Sequence, residues 1–247
     1  MPKDFSLQFC SRSHTGKVKR NNEDYLRIHQ NGFLAAIADG MGGTDFGEVA
    51  SQIAVDASIE YLANTTSTKL LKKPAGELGN AVKYANEAII AIQRNQEKYR
   101  TMGSTLTCFL MINNQLHFSW VGDSRIYIVR PENTSIQMLT KDHTLDRNKI
   151  DATLAPDLYR RAPSILTQKV GSILLIQPDT GCFELKAGDI IVACTDGLSD
   201  RIDDQLLLEY GLKFAGNLEG YADKLLDRAL DCGGQDNISL ILAQVLS

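Results

Sequence analysis

No stretch of this chain approaches the roughly 20 consecutive apolar residues of a membrane-spanning helix, and the opening MPKDFSLQFCSRSH lacks the apolar core of a secretion signal. The expectation is a cytoplasmic protein with no membrane partner. Basic charge is also scarce. Lys and Arg number 26 against 30 Asp and Glu, a formal net charge of -4, so nothing global favours nucleic acid. Cysteine is present five times but never as a CxxC pair, which argues against a disulfide framework and a zinc site and leaves reduced, mostly buried thiols. Cys182 and Cys194 flank the turn at Ala187-Gly188-Asp189, where a hairpin would set them face to face; a disulfide there is the lesser reading. Repeats, low-complexity tracts and Pro/Ser-rich linkers are missing, so residues 1–247 read as a single domain. Three catalytic signatures are absent as well: the Cys-x5-Arg phosphate loop, the GxxxxGK[ST] nucleotide loop and the HExxH zinc motif.

What the chain does contain is ordinary core material, 43% hydrophobic and 23% charged over 247 residues. Strand-like runs over 24–28 and 33–38 are separated by Gln30-Asn31-Gly32 and read as a hairpin. Helical spacing follows over 47–62, and again through Leu78, Val82, Ala85, Ile89 and Ile92. Strands are expected over 105–112, 115–121, 125–129 and 136–139 as an antiparallel meander, the first two joined by Asn113-Asn114. Residues 144–163 read as a helical or irregular surface excursion. Beyond them come a hairpin over 182–185 and 190–194, helices at 206–208 and 221–230, and a strand over 238–246. Strands in runs followed by helices in runs indicate an α+β fold with a sheet-on-sheet core and helices outside.

The segment AAIADGMGG, residues 35–43, ends an apolar run on a carboxylate beside glycines, which reads as a buried strand delivering Asp39 into a tight turn. Asp123, Asp196 and Asp236 stand at strand margins in the same manner, and Glu23-Asp24 opens the first strand of the hairpin. Any one such aspartate is ordinarily a turn former or cap. Several brought together by an antiparallel core would repel one another unless a cation sat between them. Oxygen-only ligands favour Mg²⁺ or Mn²⁺ over zinc. Two such ions sharing a carboxylate would activate water and clamp phosphoryl oxygens, which makes phosphate ester hydrolysis the natural chemistry.

In their order, GKVKRNNED (16–24), ADGMGGTDFGEVAS (38–51), MGSTLT (102–107), VGDSRIY (121–127), LTKDHT (139–144), ILTQKVG (165–171), TDGLSD (195–200) and QDNISLI (235–241) resemble the metal-dependent serine/threonine protein phosphatases of type 2C, in their bacterial form. The resemblance spans almost the whole chain. It implies a four-layer α-β-β-α sandwich, two antiparallel sheets flanked by helices, holding two Mg²⁺ or Mn²⁺ ions and in bacterial-type members a weaker third. It implies a phosphorylated protein as substrate and a serine/threonine kinase as counterpart, and a monomer is the default. By position, Asp39 would bridge two metals and Gly40 would offer its carbonyl to the second. Asp196 and Asp236 would hold the first, Glu23 would act on the second, and Asp24 would hydrogen-bond metal-bound water. Asp123 with Asp196 would hold the third ion, and Asn237 would support Asp236.

Two departures stand out. The family's phosphate-binding arginine falls on Lys19, with Arg20 next to it, and lysine lacks the bidentate fork. Thr44 stands where bacterial relatives commonly carry histidine, and Met41 where animal-type relatives do, so His143 is the candidate general acid, weighed against a structural role. These departures also frame the alternative, a catalytically weak pseudophosphatase that binds and regulates a phosphoprotein. Residues 144–163 occupy the place of the family's variable flap.

Overall fold

The computed structural model describes residues 5–30, 32–41 and 46–246. Its strands are β1 (Ser6–His14), β2 (Asp24–Ile28), β3 (Leu34–Met41), β4 (Gly103–Ser104), β5 (Leu106–Ile112), β6 (Gln115–Val121), β7 (Arg125–Arg130), β8 (Ser135–Met138), β9 (Asp179–Glu184), β10 (Ile190–Cys194) and β11 (Ile238–Leu246). Helices are α1 (Gly47–Asn64), α2 (Ser67–Lys72), α3 (Pro74–Asn95), α4 (Pro156–Arg161), α5 (Asp196–Ser199), α6 (Asp204–Lys213) and α7 (Leu218–Asp231). Two antiparallel sheets result. One runs β1-β11-β10-β7-β8 and the other β2-β3-β5-β6-β9, with β4 paired to the end of β3.

Period-two alternation builds the layers. Ala35 and Ile37 of β3, Phe109 of β5 and Phe118 of β6 face Ile126, Ile191 and Ile241 of the opposing sheet in one apolar layer. Their neighbours Ala36, Ala38 and Cys108 point the other way, against Ala54 of α1 and Val82 of α3. On the far side Val129, Val192 and Leu240 meet Leu207 of α6 and Leu225 of α7. With both faces covered, the central strands read as continuous apolar runs instead of alternating ones. The expected four-layer sandwich is therefore the observed one, and no helix among the described residues is long and apolar enough to cross a membrane.

The β2–β3 and β5–β6 pairs form in the expected places. Asn113 and Asn114 both adopt positive φ, 51° and 60°, the conformation a two-residue hairpin turn needs. Other expectations are corrected. The meander breaks after β6, because Gly122 at φ 109° turns the chain out of one sheet and β7 pairs with β10 in the other. Nor do 182–185 and 190–194 form a hairpin. Strand β9 pairs with β6 and β10 with β7 and β11, so residues 185–189 cross between sheets. Asp189 fixes that crossing with a bidentate pair to Arg130, both contacts at 2.7 Å. Cys182 is consequently exposed in one sheet while Cys194 is buried in the other, both as free thiols. Strand β1 was not anticipated, and β3 continues through Asp39 to Met41 instead of stopping at Ala38. The hairpin apex Asn31 and the glycine-rich residues 42–45, Thr44 among them, lie outside the described residues.

Candidate metal centre

Strand polarity brings the acids together. In the first sheet, the end of β10 pairs with the beginnings of β7 and β11, Cys194 lying opposite Arg125 and Leu240. Asp196, Asp123 and Asp236 stand just beyond these ends. From the second sheet, Asp24 and Asp39 are direct cross-strand partners on β2 and β3. They continue the inward-facing positions of Leu26 and Ile37. One edge of the inter-sheet core is thus lined with carboxylates from both sheets, and like charges opposed across a ladder destabilise it.

Polar contacts sew this edge shut. Thr195 Oγ1 donates to Asp24 Oδ2 at 2.9 Å, crossing between the sheets. Asn237 Oδ1 accepts from the Glu23 N–H at 2.8 Å, while its Nδ2 donates to the carbonyls of Thr15 and Asn21. The Asn237 N–H donates to Asp236 Oδ1 at 2.8 Å. Asp39 is held by its backbone, with its N–H donating to Thr105 Oγ1 at 2.8 Å and its carbonyl accepting from Ser104 Oγ at 2.8 Å and the Thr105 N–H at 2.9 Å. Ser51 Oγ donates to the Glu23 carbonyl at 2.6 Å, tying α1 to the same corner. At Gly40 and Gly47 the backbones of β3 and α1 approach so closely that a Cβ on either would strike the other's main chain.

Burial and mutual repulsion shift these acids upward. Asp24, 6% exposed, is pushed to about 7 by burial first and by the charges of Asp196 and Asp236, against hydrogen bonds from Ser239 and Thr195. Asp123 also reaches about 7 through burial, with Asp196 and Asp142 adding to it. Asp39 rises well above the usual range through burial and the charges of Asp24, Asp196 and Asp236. Burial and Asp236 raise Asp196 too. Burial, Glu48 and Asp236 raise Glu23 against the pull of Lys19 and the Gly47 N–H. Buried Asp24 Oδ1, Asp196 Oδ1 and Glu48 Oε2 have no hydrogen-bond partner among the described residues.

Those orphaned oxygens are the fit test for a cation. Among the described residues no three acids already stand at ligating distances. The set is nevertheless oxygen-only, crowded, and short of positive charge, which fits a hard divalent ion. Lys19 supplies one cation, its Nζ 2.7 Å from Asp236 Oδ1. Burial lowers the Lys19 ammonium, but the hydrogen bond to Asp236 and the charges of Asp236, Glu23 and Asp39 outweigh it and raise it overall. Arg20 is exposed and makes no ion pair among the described residues. Of the two candidates, Lys19 is the one turned into the acids.

His143 is not turned there. Its ring stacks on Trp120 with centroids 5.9 Å apart. Nδ1 accepts from the Gly122 N–H at 3.1 Å, which leaves the proton on Nε2, 3.3 Å from Asp179 Oδ2. Sequence reasoning missed Arg125 and Asp142, a bidentate pair with contacts of 3.0 and 2.7 Å. With Asp123, Asp196, Asp200 and Ser164 they line a recess of about 80 Å³. Both lie inside quoted motifs, VGDSRIY and LTKDHT, but their pairing required the fold. Glu48 was missed likewise, in the first turn of α1 and near enough for its charge to raise Glu23.

A two-sheet sandwich with an oxygen-rich, cation-seeking edge defines the architectural class, and comparison with known proteins supplies the family. Residues 11–232 match the family model described as Protein phosphatase 2C, so the chain belongs to the protein phosphatase 2C family. It is 34% identical over 242 residues to the serine/threonine protein phosphatase PstP of Mycobacterium tuberculosis, covering 97% of this chain and 45% of that protein. The chain therefore spans about 45% of the length of that relative. It is 30% identical over 246 residues to the protein phosphatase PhpP of Streptococcus pneumoniae, covering 97% of this chain and 98% of the other. The crystal structure of the PstP catalytic domain in complex with two manganese ions superposes with a TM-score of 0.82 at 32% identity, covering 99% of this chain and 100% of that one.

Proposed function

We propose that this protein is a Mg²⁺/Mn²⁺-dependent phosphatase that hydrolyses phosphoserine and phosphothreonine in proteins. The observation that carries the reading is the convergence of acids from both sheets at one edge of the core, with buried carboxylate oxygens left unpartnered. Asp39, the Gly40 carbonyl, Asp196, Asp236 and Glu23 would hold two ions, and Asp123 with Asp196 a third. When bound, the ions supply a Lewis acid that activates water and neutralises phosphoryl oxygens. The chain's own groups do the rest. Asp24, held through Oδ2 by Thr195 with its Oδ1 unpartnered among the described residues, is placed to accept a proton. Lys19, exposed on its outer side, presents an ammonium to the substrate phosphate.

A single cytoplasmic domain, monomeric and opposed by a serine/threonine kinase, completes the reading. The regulatory alternative is not favoured, since a binding module has no use for so many repelling buried acids. Hydrolysis of a phosphothreonine peptide with Mn²⁺, with Mg²⁺ and with chelator tests the proposal. Metal-dependent release of phosphate is expected, and no release despite metal binding would return the regulatory alternative.

A further inference from the structure

Shortly before β9, at residues 173–175, the chain displays an apolar ridge. Gln93 of α3 donates to the carbonyls of Met102 and Gly171 at 2.7 and 2.9 Å, and Asn86 Oδ1 accepts from the N–H groups of Gly171 and Ser172 at 2.8 and 3.1 Å. At the far end Ile176 is buried, and the Gln177 N–H donates to Gln168 Oε1 at 2.9 Å. Between these anchors Ile173, Leu174 and Leu175 are 81%, 76% and 86% exposed. Single exposed aliphatics are commonplace, but three in succession on a segment clamped at both ends mark an interaction surface.

Ile173 and Leu174 edge a hollow of about 800 Å³ whose other walls include Arg94, Arg100 and Lys169. Glu97 is the one acid in this lining, and it is engaged by Arg100 at 3.3 Å. Neither Arg94 nor Lys169 has an ion-pair partner among the described residues. The surface therefore lacks two things, an apolar cover and negative charge. It is also tied to the candidate centre. Val170 exchanges two backbone hydrogen bonds with Ser104, at 2.9 and 3.0 Å, and Ser104 pairs with Gly40. Two strand spacings, about 10 Å, separate Val170 from Gly40, and an extended chain covers that in roughly three residues.

We propose that this ridge and hollow dock the segment of the phosphoprotein that flanks the phosphorylated residue, and that they select acidic and large aliphatic side chains a few residues away from it. The proposal rests on the phosphatase reading above. A recessed cationic hollow fits a peptide better than a flat bilayer, and its nearness to Gly40 fits a substrate better than an unrelated partner.

The test compares wild-type kcat/KM for three phosphothreonine peptides of equal length. One carries Glu-Leu-Leu-Asp about four residues before the phosphothreonine, one carries it as far after, and one carries Ser-Gly-Ser-Gly instead; para-nitrophenyl phosphate reports on the centre alone. One acidic-aliphatic peptide should exceed the neutral one by about tenfold, through KM. That ratio should fall to about one both in the triple variant Ile173→Ser, Leu174→Ser, Leu175→Ser and in Arg94→Glu. Equal values for all three peptides in the wild type, or a ratio that survives both variants, overturns docking while para-nitrophenyl phosphate turnover keeps the phosphatase reading. No turnover of any substrate removes the phosphatase reading and docking with it. Equal peptide values accompanied by self-association, or by binding to phosphatidylserine vesicles, that the triple variant abolishes would assign the ridge to a second copy or to a bilayer, and would also overturn the proposal.

Discussion

Asp39 and Asp24 oppose each other across a ladder that ordinary selection for stability would fill with anything but two acids. The cost should be visible as a pH dependence in chelator-treated protein. Asp24 and Asp123 titrate near 7 when folded and near 3.9 when unfolded, so between those values the native chain holds protons that the unfolded chain has released. Stability should therefore fall as pH rises from about 4 to about 7, by up to about 1.4 kcal/mol per pH unit for each group, with Asp123, partly open to solvent, giving the smaller share. Urea denaturation at pH 5 and pH 7 checks the sign, and greater stability at pH 7 would contradict it. His143 makes a second case. Because its ring is packed on Trp120 and bonded to Gly122 and Asp179, His143→Ala should cost about 1–3 kcal/mol of stability and leave kcat within about threefold. A hundredfold loss of kcat at unchanged melting temperature would make it the general acid after all. The acids themselves were legible because each stands at the margin of a strand-like run, Asp39, Asp123 and Asp196 beside glycine and Asp236 beside asparagine. The Arg125–Asp142 pair was not, because nothing local to either residue signals a partner in another motif.

Helices α1 and α3 and the buried strands were legible because an apolar period must match a covered face. What escaped was connection. Ala187-Gly188-Asp189 has the composition of a hairpin turn, yet Asp189 pairs with Arg130 and the Gly188 N–H donates to the Val245 carbonyl at 2.8 Å, so the turn serves a crossing between sheets. Strand β1 escaped because it is an edge strand in which Cys10 alone is fully buried and the remaining apolar residues are interspersed with Arg12 and serines. The close approach of α1 to β3 gives a prediction for whole elements. A Cβ at Gly47 would lie 2.8 Å from the Gly40 carbonyl carbon and closer still to Glu23 Oε1, so Gly47→Ala should cost about 1–3 kcal/mol and weaken Mn²⁺ binding together. Gly76→Ala, in the first turn of α3 with nothing nearer than 3.7 Å, should instead stabilise by about 0.5–1 kcal/mol and leave Mn²⁺ binding alone. Thermal melts with and without Mn²⁺ separate the two, and equal behaviour would mean that the close approach has no bearing on the metal centre.

Across the molecule, the two sheets meet through an apolar layer that gives way at one edge to carboxylates, so a cation there would join the sheets as well as serve chemistry. The layer order was legible from runs of strands and helices together with the family resemblance. Which strand joins which sheet was not, since β6 and β7 are adjacent in sequence and separate in space. The acid edge is proposed to hold at least two ions, with Asp39 as a ligand they would share. A calorimetric Mn²⁺ titration of metal-stripped wild type and Asp39→Asn, with a thermal melt of each at about 100 times the wild-type dissociation constant, tests it most directly. At least two ions should bind the wild type and fewer the variant. The wild type should also gain about 2.7 kcal/mol of stability, a rise of roughly 5–10 °C, that Asp39→Asn largely loses. Equal stoichiometry and an equal rise in both proteins would contradict it.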